Sequence, residues 1–144
     1  MGKDGDDCLV GGIGNDKLSG GIGNDMIIGQ EGNDRIFGND GNDLIQGGTN
    51  TDVISGGNGN DTIDGEENDD TINGGKGNDI LNGGKGNDTI YGEDDSDTIH
   101  GGDNNDIIHG GKGNDILTGD GGTDVCYGDQ GTNTVDPLTC ETIR

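Results

Sequence analysis

The chain is predicted to be all-β, a solenoid of stacked eighteen-residue coils, and three observations predict it. A Gly recurs every nine residues from Gly2 to Gly128 without a slip, fifteen times in succession. Five residues after that Gly stands an Asp in fourteen units and Asn133 in the last. Two residues later comes an apolar side chain, running from Leu9, Leu18 and Ile27 to Leu117, Cys126 and Val135. A fixed short period marks a repeat architecture, in which each unit buries its apolar face only by stacking on its neighbours.

The unit reads Gly, usually Gly, variable, usually Gly, usually Asn, Asp, variable, aliphatic, variable; its clearest copies are GGKGNDILN and GGKGNDTIY at residues 74–91. One inward aliphatic at position eight, between variable residues at seven and nine, fits a three-residue strand whose middle side chain points to the core. The six residues before it must turn, and repeated Gly supplies the positive φ angles that such a turn needs. Position four is Gly in eleven units and Asn50, Asn68, Asp95 or Asn104 in the other four. Asn and Asp are the residues that tolerate the left-handed region best after Gly. Turn, strand, turn, strand closes a flattened coil of two units. Fifteen units then give seven and a half coils, stacked about 4.8 Å apart over roughly 35 Å.

Such a stack has little conventional core, with about two aliphatics per coil in a chain of 35 glycines, the residue that loses most backbone freedom on ordering. Its charge opposes it as well. Asp and Glu total 30 against 7 Lys and Arg, a net charge of -23. The coil sets Asp7, Asp25 and Asp43 over one another on one edge and Asp16, Asp34 and Asp52 on the other, so like charges repel along both columns. A hard cation between successive turns reverses the sign of that interaction. Calcium suits it best, taking about six to eight oxygens in a forgiving geometry, main-chain carbonyls included.

The nonapeptide GGxGxDxUx is that of the calcium-binding RTX (repeats-in-toxin, hemolysin-type) proteins, and residues 2–136 resemble that family over nearly the whole chain. The resemblance implies a right-handed parallel β-roll (β-solenoid) of fifteen nonapeptide units, two per coil, forming a single domain over 2–136. It implies calcium ions between the turns of neighbouring coils, held by position-six carboxylates and by carbonyls of the preceding turn residues. Carried onto this chain, the carboxylates are those of Asp7, Asp16, Asp25, Asp34, Asp43, Asp52, Asp61, Asp70, Asp79, Asp88, Asp97, Asp106, Asp115 and Asp124. The carbonyls belong to Gly20, Gly21, Gly23, Gly38, Gly41, Gly56, Gly57, Gly59, Gly74, Gly75, Gly77, Gly83, Gly84, Gly86, Gly110, Gly111 and Gly113, with Lys76 among them. Eight turns on one edge and seven on the other leave thirteen gaps as the ceiling. Thirteen dications would bring about +26 against -23. The turns from Gly20, Gly38, Gly56 and Gly74 are the expected best sites. Gln30, Asn50, Glu66 and Asn68 depart from the pattern on the opposite edge, and the Asp95 and Asn133 turns depart from it on the same edge as Gly20, so weaker binding is expected at all of these places.

In that family such rolls stand beside the catalytic domains of proteases, lipases, epimerases and toxins. The implied function is an extracellular calcium-binding module of a secreted or cell-surface protein, disordered by its own charge until the ion orders it, and serving as a folding, stabilising or scaffold domain. Sites with affinities of about 10⁻⁴ to 10⁻³ M fill outside the cell and stay empty in the cytosol. The alternative is a structural or adhesive protein that assembles through stacked calcium-loaded rolls.

At the start, Met1 runs directly into the first repeat. No basic leader with an apolar run is visible, nor any stretch long enough to cross a membrane, so direct insertion is not expected. Cys8, Val10, Met26, Ile28 and Leu44 all face outward on the sheet of the odd-numbered units. Their clustering is either a packing surface for an upstream domain or another copy of the chain, or chance at positions free to vary. At the other end Pro137 breaks the repeat, and residues 137–144 are expected to fold back over the last coil as a short cap. Cys126 and Cys140 are expected to form a disulfide that pins this cap, the alternative being two separate thiols. Cys8 is left over, free or paired with a neighbour.

Several other functions are excluded by charge or spacing. The anionic turns disfavour nucleic acid and lack the ending of a phosphate loop, and an EF-hand needs a twelve-residue loop closed by Glu. Two glycosylation triplets, at Asn60 and Asn87, arise from the repeat itself. His100 and His109 fall on opposite sheets, which suits solvated strand residues better than a shared metal. Thr62, Thr71, Thr89 and Thr98 alternate between sheets, and Ile80 interrupts the column needed for an ice-binding ladder. With no nucleophile and base in a recognisable pairing, and every repeat Asp claimed by the period, no enzyme is expected.

Overall fold

The computed structural model describes residues 1–142, with side chains through Glu141. The predicted tail's last positions, Ile143 and Arg144, lie outside the described residues. The chain runs through sixteen strands: β1 (Cys8–Ile13), β2 (Lys17–Ile22), β3 (Met26–Glu31), β4 (Arg35–Asp40), β5 (Leu44–Thr49), β6 (Val53–Asn58), β7 (Thr62–Glu67), β8 (Thr71–Lys76), β9 (Ile80–Lys85), β10 (Thr89–Asp94), β11 (Thr98–Asp103), β12 (Ile107–Lys112), β13 (Ile116–Gly121), β14 (Asp124–Tyr127), β15 (Thr134–Val135) and β16 (Cys140–Thr142). Odd strands form one eight-stranded sheet and even strands the other, with every pairing parallel, as in β7 to β9 through Thr62 to Ile80 and Ile63 to Leu81. This is the predicted β-roll. Among the described residues no helix is long and apolar enough to cross a membrane.

Position eight fills the space between the sheets. Ile27, Ile36, Ile45, Ile72, Ile90, Ile99, Ile108 and Leu117 are wholly buried, Cys126 continues the column and Val135 packs against its end. Position seven faces out on the same strands, since side chains alternate across a sheet. The core is therefore a single row of β-branched and leucine side chains between two sheets.

Two expectations need correction. The strands are six residues long, not three: positions one to three of the next unit continue each strand, pairing at Gly12 with Gln30 and Ile13 with Glu31. The reason is backbone hydrogen bonding along the stack, where position-three and position-four amides find carbonyls in neighbouring coils, as in Ile22 N–H to Lys3 O at 2.7 Å and Gly23 N–H to Asp40 O at 2.8 Å. Only positions four to six remain as the turn. The tail, moreover, does not lie across the last coil but continues it. Residues Cys140–Thr142 pair in parallel with β14, placing Cys140 beside Asp124 and Glu141 beside Val125, so the cap is an added strand that satisfies the β14 edge.

The predicted disulfide joins Cys126 to Cys140, with Cα atoms 5.5 Å apart. Cys8 is free and exposed. Val10, Met26 and Leu44 are exposed on the odd sheet near the first coil, as is Ile13 at position three, while the exposed position-three Ile22 belongs to β2 on the even sheet.

Candidate metal centre

Position four has a positive φ throughout, at Gly59 and Gly77 as at Asn50, Asn68, Asp95 and Asn104. Position two needs it as well, which the composition hid: Gln30, Asn39, Glu66, Glu93, Asp120 and Asp129 all lie at φ between 58 and 84°. The non-glycine residues settle near φ 80°, as at Gln30 (82°) and Asn68 (78°), whereas Gly59 lies at 131°. The wider angle is open only to a residue with no Cβ.

Turns held this way place the position-six carboxylates in two buried columns. Asp25 and each repeat Asp after it, up to Asp124, are almost fully buried, whereas Asp7 and Asp16, at the open end, are half-buried. Each Oδ1 accepts the backbone N–H of the equivalent residue one coil earlier: Asp25 from Asp7 at 2.7 Å, Asp70 from Asp52 at 2.7 Å, Asp124 from Asp106 at 2.9 Å. Each Oδ2, from Asp16 to Asp124, is buried with no hydrogen-bond partner, thirteen in all. A buried carboxylate oxygen with nothing to accept from is costly.

What those oxygens face is a carbonyl. A methyl group built on Gly47 would sit 2.7 Å from Asp52 Oδ2 and 2.8 Å from the Gly65 carbonyl oxygen. The same cradle recurs at Gly65, where Asp70 Oδ2 and the Gly83 carbonyl oxygen both lie 2.5 Å from that point. Gly56, Gly74 and Gly110 likewise bring their carbonyls to the carboxylates of Asp43, Asp61 and Asp97, whereas the Gly38 carbonyl facing Asp25 also accepts Asn39 Nδ2–H at 2.7 Å. Two oxygens converging in a dry site, with no proton between them, are a donor set for a hard cation.

The other predicted carbonyls are placed differently. Position-two peptides sit in the sheet ladder, where Gly111 O accepts Gln130 N–H at 2.7 Å. Position-four carbonyls, including those of Gly23, Gly41 and Gly59, point along the stack at the next coil's equivalent residue. Among the described residues no three His, Cys, Asp or Glu side chains gather in one place, so any cation here must draw on main-chain oxygens.

Burial raises the pKa of the position-six acids from Asp43 to Asp124, offset in part by the backbone N–H each accepts and raised further by nearby carboxylates. Asp70 is pushed up to about 8, Asp79, Asp97 and Asp106 to about 7, and Asp52, Asp61 and Asp88 to about 6. A charged column in this environment wants either protons or cations.

Sequence reasoning gave position five no role, yet it forms a second rail. Asn24 Oδ1 accepts Asn42 N–H at 2.8 Å, Asn42 Oδ1 accepts Asn60 N–H at 2.7 Å, and Asn60 Oδ1 accepts Asn78 N–H at 2.8 Å. This rail runs opposite to the aspartate rail, since the later coil donates. It also occupies the Asn60 side chain, and Asn87 does the same for Asn105 N–H at 3.3 Å. The frequency of Asn at that position was the available signal. A second feature missed is a stack on the even sheet, where His109 lies 5.0 Å from Tyr91 and 4.4 Å from Tyr127 between ring centroids. His100 and His109 stand on opposite sheets as expected, each beside an Asp, Asp120 at 3.1 Å and Asp129 at 3.3 Å.

The family model of the RTX calcium-binding nonapeptide repeat (four copies) matches residues 1–36, 19–54, 28–63, 37–72, 46–81, 64–99, 74–108 and 100–135. No curated protein matches the chain.

Proposed function

The chain belongs to the RTX calcium-binding nonapeptide repeat family, and from that premise we propose that it is an extracellular calcium-binding module that folds when ions fill both rims of the roll. The observation that carries this reading is the set of thirteen buried, partnerless Oδ2 atoms, each turned to the carbonyl side of the next coil. The residues present fit the ion. Asp16 to Asp124 would supply carboxylate oxygens, with Asp7 at the open end, and the position-one glycines from Gly20 onward would supply carbonyls, the position-two and position-four peptides completing the shell. Bound calcium supplies positive charge where carboxylates stack and so converts repulsion along each rim into attraction.

Outside a cell, millimolar calcium fills sites of modest affinity, and the disulfide suits the same compartment. The role is then folding, stabilising or scaffolding a secreted protein, and no catalysis is assigned. Equilibrium dialysis against millimolar calcium, followed by counting of metal and protein, tests it. Retention of several calcium ions per chain, with magnesium unable to replace them, is the expected result; a chain that emerges metal-free overturns the reading.

A second reading is supported by the apolar outer face that the odd sheet presents over its first three coils, where Val10 is 53% exposed, Met26 44% and Leu44 43%, with Ile28 and the free Cys8 beside them. There the module would meet an upstream domain or another copy of itself. A concentration-independent monomer mass in calcium contradicts the self-association arm.

A further inference from the structure

On the rim of the even-numbered units, Asp124 is the last repeat carboxylate, and no further repeat turn stands beyond it. Counting gaps between repeat turns therefore assigns it no ion of its own. Yet Asp124 is completely buried, and its Oδ2 has no hydrogen-bond partner, as in the middle of the column.

The cradle is complete there. A methyl group built on Gly119 would meet Asp124 Oδ2 and the carbonyl oxygen of Thr139, the position that the Gly65 and Gly83 carbonyls occupy in the interior of the same rim. Thr139 is not part of a repeat. It is carried into place by the tail: Cys140 N–H bonds to Asp136 O at 3.0 Å, Gly119 N–H donates to Thr139 Oγ1 at 3.0 Å, and β16 pairs with β14. The disulfide from Cys140 to Cys126 fixes the residue next to Thr139 against the core.

We propose that the disulfide-anchored tail completes an additional divalent-cation site, in which Asp124 Oδ2 and the Thr139 carbonyl play the parts of repeat carboxylate and repeat glycine. This rests on the calcium reading above. The cap is then both covalent and ionic, and the two locks are linked: the ion holds Thr139 in place, which protects the disulfide, and the disulfide holds the carbonyl to the ion.

The test compares calcium bound per chain, by dialysis and metal counting, in the oxidised protein and in Cys140→Ser. The variant is expected to bind about one ion fewer. Should it fail to fold, Asp124→Asn in the oxidised chain serves instead. In calcium its disulfide is expected to be reduced by dithiothreitol at least about tenfold faster than in the unaltered chain, while Asp4→Asn, which removes an exposed carboxylate outside the ladder at the opposite end, leaves that rate unchanged. Equal ion counts in Cys140→Ser, or equal reduction rates in Asp124→Asn, overturn the tail site while leaving the ladder standing. Absence of bound calcium from the oxidised chain would instead remove the calcium reading itself.

Discussion

Asp70 Oδ1 accepts the backbone N–H of Asp52 at 2.7 Å while its Oδ2 is buried with no partner, so one carboxylate is both a stitch between coils and an unsatisfied charge. Metal-free, that charge is tolerable only when protonated. Burial raises Asp70 to about 8, Asp79, Asp97 and Asp106 to about 7, and Asp52, Asp61 and Asp88 to about 6. A folded-state pKa above the unfolded one gives stability that is full below the ordinary carboxylate range and is lost as pH rises through the folded value. In chelator, circular dichroism should therefore show β structure near about pH 4.5 that melts out as the pH is raised through 6 to 8. A metal-free fold that strengthens over that interval contradicts the assignment.

The architecture was legible because every unit repeats the same two constraints. From spacing alone, the Leu9 to Val135 column marks the core and the Asp7 to Asp124 column marks the rims. Strand length was less legible, since Gly at positions one and two reads as turn, whereas positions two and three in fact pair through the sheet, as at Gly12 with Gln30. Gln30 and Glu66 concealed the second positive-φ position, because neither residue type signals a left-handed backbone. The Asn rail lay in plain view but has no chemistry until coils are stacked. The role of Thr139 was not legible at all, because the tail shares no period with the repeat.

At the closed end of the odd rim, Asn133 replaces Asp. Its Oδ1 accepts Asp115 N–H at 2.8 Å, which fixes the amide orientation, and its Nδ2 then donates to the Gly128 carbonyl. Where Asp115 would share an ion with that carbonyl, an amide proton already serves it. Asn133→Asp is expected to raise the calcium count by about one per chain, read by metal analysis after dialysis. An unchanged count means that the amide does not block the last gap.

Backbone angle should decide stability at position two. Gly48 lies at φ 121°, and a methyl group there would strike the Gln30 carbonyl, so Gly48→Ala is expected to cost about 1 to 2 kcal/mol. Gln30 itself lies at φ 82°, and Gln30→Gly relieves that strain at some entropic expense, for a gain of up to about 1 kcal/mol. Urea denaturation in saturating calcium measures both. Signs opposite to those stated would show that side-chain contacts, not φ, govern the position.

The central claim is that cations along the rims hold the coils together. Calcium titration at about pH 7.5, where the carboxylates of an unfolded chain are ionised, followed together by circular dichroism and hydrodynamic radius, tests it most directly. The account predicts an expanded, largely unstructured chain in chelator that collapses to a compact β form as millimolar calcium is added. The same compact β form in chelator, unchanged by the ion, would contradict it.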